Sequence, residues 1–206
     1  MLKRQYVITK KFYHIASLYL AVCIMGTGLL FFSLQGLSWA DEDTLSPQIS
    51  GLTVANSKRY LLAYFSLKNG YTQEILTALK SGIPVKYTYE IEINRPRFMM
   101  DKTIFHGYVS RTLSYDALRQ EYIMMLGPDN PRAISVRTMA EVWPVMFEIN
   151  GVPLVLASRL HHGTTYILRV RATAEKVESH IPFPGLMDIF SSWGFETKWH
   201  ELYFTY

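Results

Sequence analysis

The chain has 206 residues, nearly half of them hydrophobic, with 21 Lys and Arg against 17 Asp and Glu. Lys3, Arg4, Lys10 and Lys11 account for the whole positive excess, so the remainder carries equal charge of each sign and, local clustering aside, gives no sign of the basic face nucleic acid requires. The single cysteine, Cys23, lies in an apolar run, which leaves the rest of the chain without disulfides, thiol nucleophiles, zinc–thiolate sites or iron–sulfur clusters.

Met1 to His14 is basic without an acid, and Ile15 to Leu37 is free of formal charge. As a helix that uncharged stretch would span roughly 34 Å, enough to cross a bilayer. Its greasiest part is Ala16 to Phe32, and Ser33, Gln35 and Gly36 make its end more polar. Ser38 and Ala40 then place small side chains at the two positions a signal peptidase accommodates. Residues 1–40 therefore read as a signal peptide cut between Ala40 and Asp41, with an uncleaved signal anchor as the alternative. Both readings leave the four cations on the cytoplasmic side and send residues 41–206 into a periplasmic or other extracytoplasmic space, anchored to the inner membrane if the segment is retained.

Residues 41–48 read as a short flexible lead and 49–206 as one β-rich domain, long enough for a real core. Ile49 to Ala55 and Tyr60 to Leu67 form an expected strand pair across Asn56 to Arg59. Lys68-Asn69-Gly70 is a turn, and Thr72 caps a helix in which Ile75, Leu76 and Leu79 share a face and Gly82 supplies the stop. Val85 to Asn94 is the clearest period-two segment: Val85, Tyr87, Tyr89, Ile91 and Ile93 face one way, and Lys86, Thr88, Glu90, Glu92 and Asn94 the other. Thr103 to Leu113 and Tyr122 to Leu126 continue as strands around a Ser-Tyr-Asp turn, with a loop at Gly127 to Arg132. Thr138 and Glu141 have capping-box spacing for a second helix that Pro144 kinks or shortens. Gly151 to Leu160 is apolar without alternation, and Thr165 to Glu178 and Lys198 to Tyr206 close the chain as strands. The fold class is α+β, mainly antiparallel sheet in a sandwich-like arrangement with two short helices, preceded by an N-terminal hydrophobic targeting helix.

Gly82-Ile83-Pro84 before the alternating strand, Arg95-Pro96-Arg97 followed by bulky apolar residues and Asp101-Lys102, and Ser110-Arg111-Thr112-Leu113-Ser114-Tyr115-Asp116-Ala117-Leu118 with Tyr122 resemble the bacterial envelope family catalogued as domain of unknown function 4390. The resemblance covers roughly residues 47 to 206. It departs from the family pattern at Phe98 and Met99, where two Trp are usual. It implies an exported bacterial protein of unassigned function, encoded in some genomes near a membrane sensor kinase, and it carries no catalytic residue to transfer.

Chemistry must then be sought residue by residue. Glu90 and Glu92 lie on one strand face about 7 Å apart, a spacing open to glycoside chemistry. Cross-strand pairing is their expected fate, with Arg169 and Arg171 as partners. His161 and His162 need a turn and a third ligand, His180 or His200, to make a metal site, so no metal and no cofactor is expected. No Gly-x-Ser-x-Gly elbow, phosphate loop or dinucleotide fingerprint is present, and no catalytic residue is assigned.

The expected function is that of a non-catalytic interaction domain. It would bind another envelope or membrane protein, with a sensor kinase as the partner the family suggests, or the membrane surface. A hydrolase or small-ligand receptor with a dispersed site and a small outer-membrane barrel ending in Leu202, Phe204 and Tyr206 are the alternatives. The interaction candidates are Arg95, Arg97, Phe98, Met99, Met100 and Lys102. Pro96 takes the chain out of the sheet there, and the three apolar residues either insert into a partner or fold back over the core.

Overall fold

A strand that alternates apolar and polar residues buries one face only, and a second layer must cover that face. In the computed structural model, residues 46–127, 133–177 and 194–206 are described. The leader with its expected cleavage point at Ala40 and Asp41, His180 and loop residues 128–132 lie outside the described residues. The strands are β1 (Gln48–Asn56), β2 (Tyr60–Lys68), β3 (Val85–Arg95), β4 (Lys102–Asp116), β5 (Glu121–Leu126), β6 (Ala133–Val136), β7 (Glu148–Leu156), β8 (Thr165–Lys176), β9 (Phe195–Glu196) and β10 (His200–Thr205). Helix α1 (Gln73–Lys80) follows β2, and α2 (Met139–Met146) precedes β7.

All pairings are antiparallel. β1, β2 and β7 form a three-stranded sheet; β10, β8, β3, β4, β5 and β6 form the larger one in that order, with β9 added on β8. The expected mainly antiparallel sandwich with two short helices is what forms. Both sheets are open, so the described strands do not close into a barrel. Among the described residues no helix is long and apolar enough to cross a membrane.

The core lies between the sheets. Val85, Tyr87, Tyr89, Ile91 and Ile93 of β3 are all buried, as the alternation predicts, and they face Leu61, Ala63, Phe65 and Leu67 of β2. The Phe65 and Tyr89 rings meet edge-on across the layers at 5.6 Å. Bulk alternates laterally too. Tyr87 and Tyr89 stand opposite Ala174 and Ala172 of β8, and the small partners leave room for the rings.

Both helices lie at the end of the sandwich where β2 ends and β3 begins. Thr72 Oγ1 accepts from the Ile75 amide and starts α1, which buries Ile75, Ala78 and Leu79; Leu76 is only half-buried. Thr138 and Glu141 cap each other at the start of α2, and Pro144 falls inside the last turn before the helix stops at Met146. Phe147 then becomes the hub of an aromatic cluster with Tyr71, Tyr87 and Trp143 at centroid distances of 5.9, 5.1 and 5.2 Å. Gly70 lies so close that an added Cβ would come within 2.9 Å of the Phe147 ring.

One local expectation is corrected. Ser114, Tyr115 and Asp116 are not a turn: β4 runs through them, paired to β5, and the chain reverses only at residues 117–120. Asp116 Oδ1 accepts from the amides of Leu118 and Arg119, so the aspartate caps the turn from the strand before it. The apolar run after Asn150 is β7, whose two register shifts against β2 break its alternation. The short strands β6 and β9 have no periodicity long enough to show in the sequence.

The two buried tyrosines of β3 differ in one respect. Tyr89 donates its hydroxyl to the Met146 carbonyl at 2.8 Å, whereas the Tyr87 hydroxyl has no partner among the described residues. Tyr89→Phe should therefore lose about 1 kcal/mol in a urea melt, while Tyr87→Phe should lose nothing or gain stability. Equal losses in the two variants would contradict this assignment.

Candidate functional site

The outer face of the large sheet gathers the polar half of β3. Strand register sets Glu90 between Arg171 of β8 and Tyr108 of β4, and Glu92 between Arg169 and His106. Arg171 Nε donates to Glu90 Oε2 at 2.6 Å, His106 Nε2 lies 2.7 Å from Glu90 Oε1, and the Tyr108 hydroxyl donates to the same oxygen at 3.3 Å. Arg171 also meets Glu196, and Arg169 lies 3.8 Å from Glu92 and 2.9 Å from Glu201. The Trp199 ring packs against both guanidinium groups, 4.9 Å from that of Arg169 and 4.7 Å from that of Arg171. The pairing of Glu90 and Glu92 with Arg169 and Arg171 is thus as the sequence leads one to expect. His106, Tyr108 and Trp199 carry no sequence signal for joining it, since only register and topology bring them there.

The chemistry of this face is set by its charges. Partial burial pushes the Glu90 carboxyl up, but the hydrogen bonds from His106, Arg171 and Tyr108 and the charge of Arg171 outweigh it and hold the carboxyl below its ordinary value. A glycosidase acid needs the opposite shift. Glu90, Glu92 and His106 bring their ligand atoms within 4.8 Å of one another, a spacing that could hold a cation. A cation there would compete with two guanidinium groups for the same carboxylates. His161 and His162 do not converge with His200 on a site. The His162 ring stacks on Tyr206 at 5.1 Å, and the His161 amide donates to the Tyr166 hydroxyl.

The six interaction candidates sit at the tip joining β3 to β4. Arg95 pairs with Lys102, and residues 96–101 project beyond that pair. Pro96 has no amide hydrogen to extend the ladder. The loop does not fold back over the core: Phe98 is 103% exposed, Met99 92% and Met100 81%. These are among the most exposed large apolar side chains of the described residues, and they are consecutive. Arg95, Arg97, Asp101 and Lys102 make no ion pair among the described residues.

The other block singled out in the sequence is structural. Arg111, half-buried on β4, donates to the carbonyls of Val145 at the end of α2 and Glu148 at the start of β7, tying the helix and the small sheet to the large one. Burial lowers its pKa, yet a guanidinium starts so high that it keeps its charge. Tyr115 and Tyr122 pack across β4 and β5 at 5.0 Å.

The architecture and its surfaces define the class: an antiparallel sandwich domain with two short helices, a salt-bridged outer face and an exposed apolar tip between β3 and β4. The chain belongs to the family described as Domain of unknown function (DUF4390), whose model matches residues 45–203. No curated protein and no solved structure matches it.

Two outcomes test the site. Because the folded-state pKa of Glu90 lies below its unfolded value, its pairing stabilises the fold above the ordinary carboxylate range and is lost as pH falls through the folded value. Glu90→Gln should therefore destabilise the protein at neutral pH and flatten the acid limb of its stability curve, with the gap to wild type closing below about pH 4. Arg111→Met should lose about 2 kcal/mol in chemical melts, with Arg111→Lys recovering part of it. An unchanged melt for Arg111→Met would remove its role as the tie between the sheets.

Proposed function

We propose that the protein is a non-catalytic interaction domain of the bacterial envelope, and that it meets another envelope protein or the membrane surface through the Arg95–Lys102 tip. One observation carries the reading: three consecutive large apolar side chains stand almost fully in water at a hairpin end, flanked by Arg95, Arg97 and Lys102 with only Asp101 opposing them. Leaving Phe98 and Met99 in water forgoes burial worth roughly 1.5–3 kcal/mol each, a cost the fold itself does not require because its core closes without them. Association is where that burial is recovered. The extracytoplasmic location rests on the basic start, the apolar stretch and the Ser38-Trp39-Ala40 pattern before Asp41. A membrane sensor kinase is a partner the family association supports. The outer face, with its acids already paired, supports a stabilising role better than a hydrolytic one.

Phe98→Ser/Met99→Ser tests the proposal. Since neither side chain packs on the core, the melting temperature should stay within about 2 °C of wild type. Association, measured by crosslinking in intact cells, should be lost. A lowered melting temperature with association intact would make the tip a structural element and end the proposal.

A further inference from the structure

The tip belongs to a wider surface. Strand register brings to the same end of the sandwich the β1–β2 turn, the turn after β7 and the close of β10. The Ala157 amide donates to the Arg59 carbonyl, the Asn56 side chain to the Tyr206 hydroxyl, and the Gly163 amide to the Tyr206 carbonyl. Tyr60, Ile104, Phe105, Leu156 and Arg159 line one cleft beside the base of the tip, which joins the two sheets at this end. Lys58, Arg59 and Arg159, all exposed, therefore accompany Arg95, Arg97 and Lys102, and Asp101 is the only acidic side chain among the described residues of these turns.

This arrangement costs free energy in the isolated protein. Arg95 and Lys102 stand directly opposite each other across the hairpin base, a like-charge cross-strand pair in which neither cation makes an ion pair among the described residues, Asp101 beside Lys102 included. On the outer face of the same sheet, Glu90 and Glu92 each stand opposite an arginine. At this exposed end of the sheet the cations of β3 and β4 have no ion-pair partner among the described residues.

Resting on the proposed role of the tip as an interaction surface, we infer that its partner is an anionic phospholipid surface, with Phe98, Met99 and Met100 entering the interface and the surrounding cations meeting the head-group phosphates. Shape favours a bilayer over a protein groove. Three consecutive exposed residues of an irregular tip point in different directions, and a groove accepts one face of an element, whereas a fluid interface accepts side chains around the whole of a convex tip. Charge favours an anionic surface over a neutral one, because juxtamembrane cations gain free energy only where lipid phosphates are in excess.

The full chain tests this with one local probe. Cys23→Ser/Met99→Cys carries an environment-sensitive fluorophore at the tip, and Cys23→Ser/Leu118→Cys carries it at the β4–β5 turn, at the other end of β4. Each is mixed with vesicles of phosphatidylcholine alone, or of phosphatidylcholine with phosphatidylglycerol, containing brominated acyl chains as quencher. The N-terminal segment carries four cations of its own and draws both proteins alike to anionic vesicles, so the label at residue 118 reads out its contribution. On the anionic vesicles the label at residue 99 should shift to the blue and be quenched well beyond the signal at residue 118, with that excess weakened by salt and absent on phosphatidylcholine alone. Adding Arg95→Gln, Arg97→Gln and Lys102→Gln should weaken the anionic preference by roughly five-fold per cation removed. Equal quenching of the tip label on both vesicle types overturns the assignment to anionic lipid. If the tip label stays in water while a photo-crosslinker at Phe98 captures a defined protein in intact cells, the lipid assignment falls and the interaction role stands. If neither happens, both fall.

Discussion

β3 is bonded on both sides, by β4 and by β8, and its period of two leaves it no freedom about which face goes where. The inner face, from Val85 to Ile93, must be covered, and the three-stranded sheet covers it with Phe65 and Leu67. The outer face, from Lys86 to Glu92, must be neutralised, and β8 and β4 supply the arginines, His106 and Tyr108. A slip of one residue would press Glu90 and Glu92 into the core against Phe65 and expose two tyrosines. That cost holds the register, and the register in turn sets where the β3–β4 tip projects.

The residues that carry the family resemblance most specifically serve this scaffold. Arg111 satisfies carbonyls at a helix end and a strand start, where backbone groups would otherwise lack donors. Asp116 holds the turn after β4, and Tyr115 and Tyr122 cover the strands on either side of it. A family recognised by such a block is recognised by how it folds. This is why membership identifies the domain and its architecture and leaves its activity open.

The charges divide into two populations. On the outer face each acid of β3 has a cationic neighbour, and Trp199 shields two of the guanidinium groups from water, so that surface is a closed network with little left to offer a ligand. At the tip end Arg95, Arg97 and Lys102 make no ion pair among the described residues, and the apolar side chains beside them lack cover. The surface that helps the fold and the surface proposed for association differ in this way, and the two meet along a single strand.

The sequence alone determined the elements whose cause is local. The alternation of β3, the β1–β2 hairpin, the Thr72 cap, the Thr138–Glu141 box and the departure of the chain at Pro96 each depend on a few neighbouring residues, and all form where those residues stand. Glu90 and Glu92 with Arg169 and Arg171 were legible as a pairing because opposite charges recur at the same period on two strands. Only the tertiary structure decided that β4 continues through Ser114 to Asp116, since a partner strand can hold residues that favour turns. It alone decided that β7 is a strand, since bulges hide its period, and that Arg111 ends on two carbonyls far along the chain. The exposure of Phe98, Met99 and Met100 belongs with these. Whether an apolar loop covers the core depends on whether the core is already closed, and that is a property of two sheets together, which no local stretch contains.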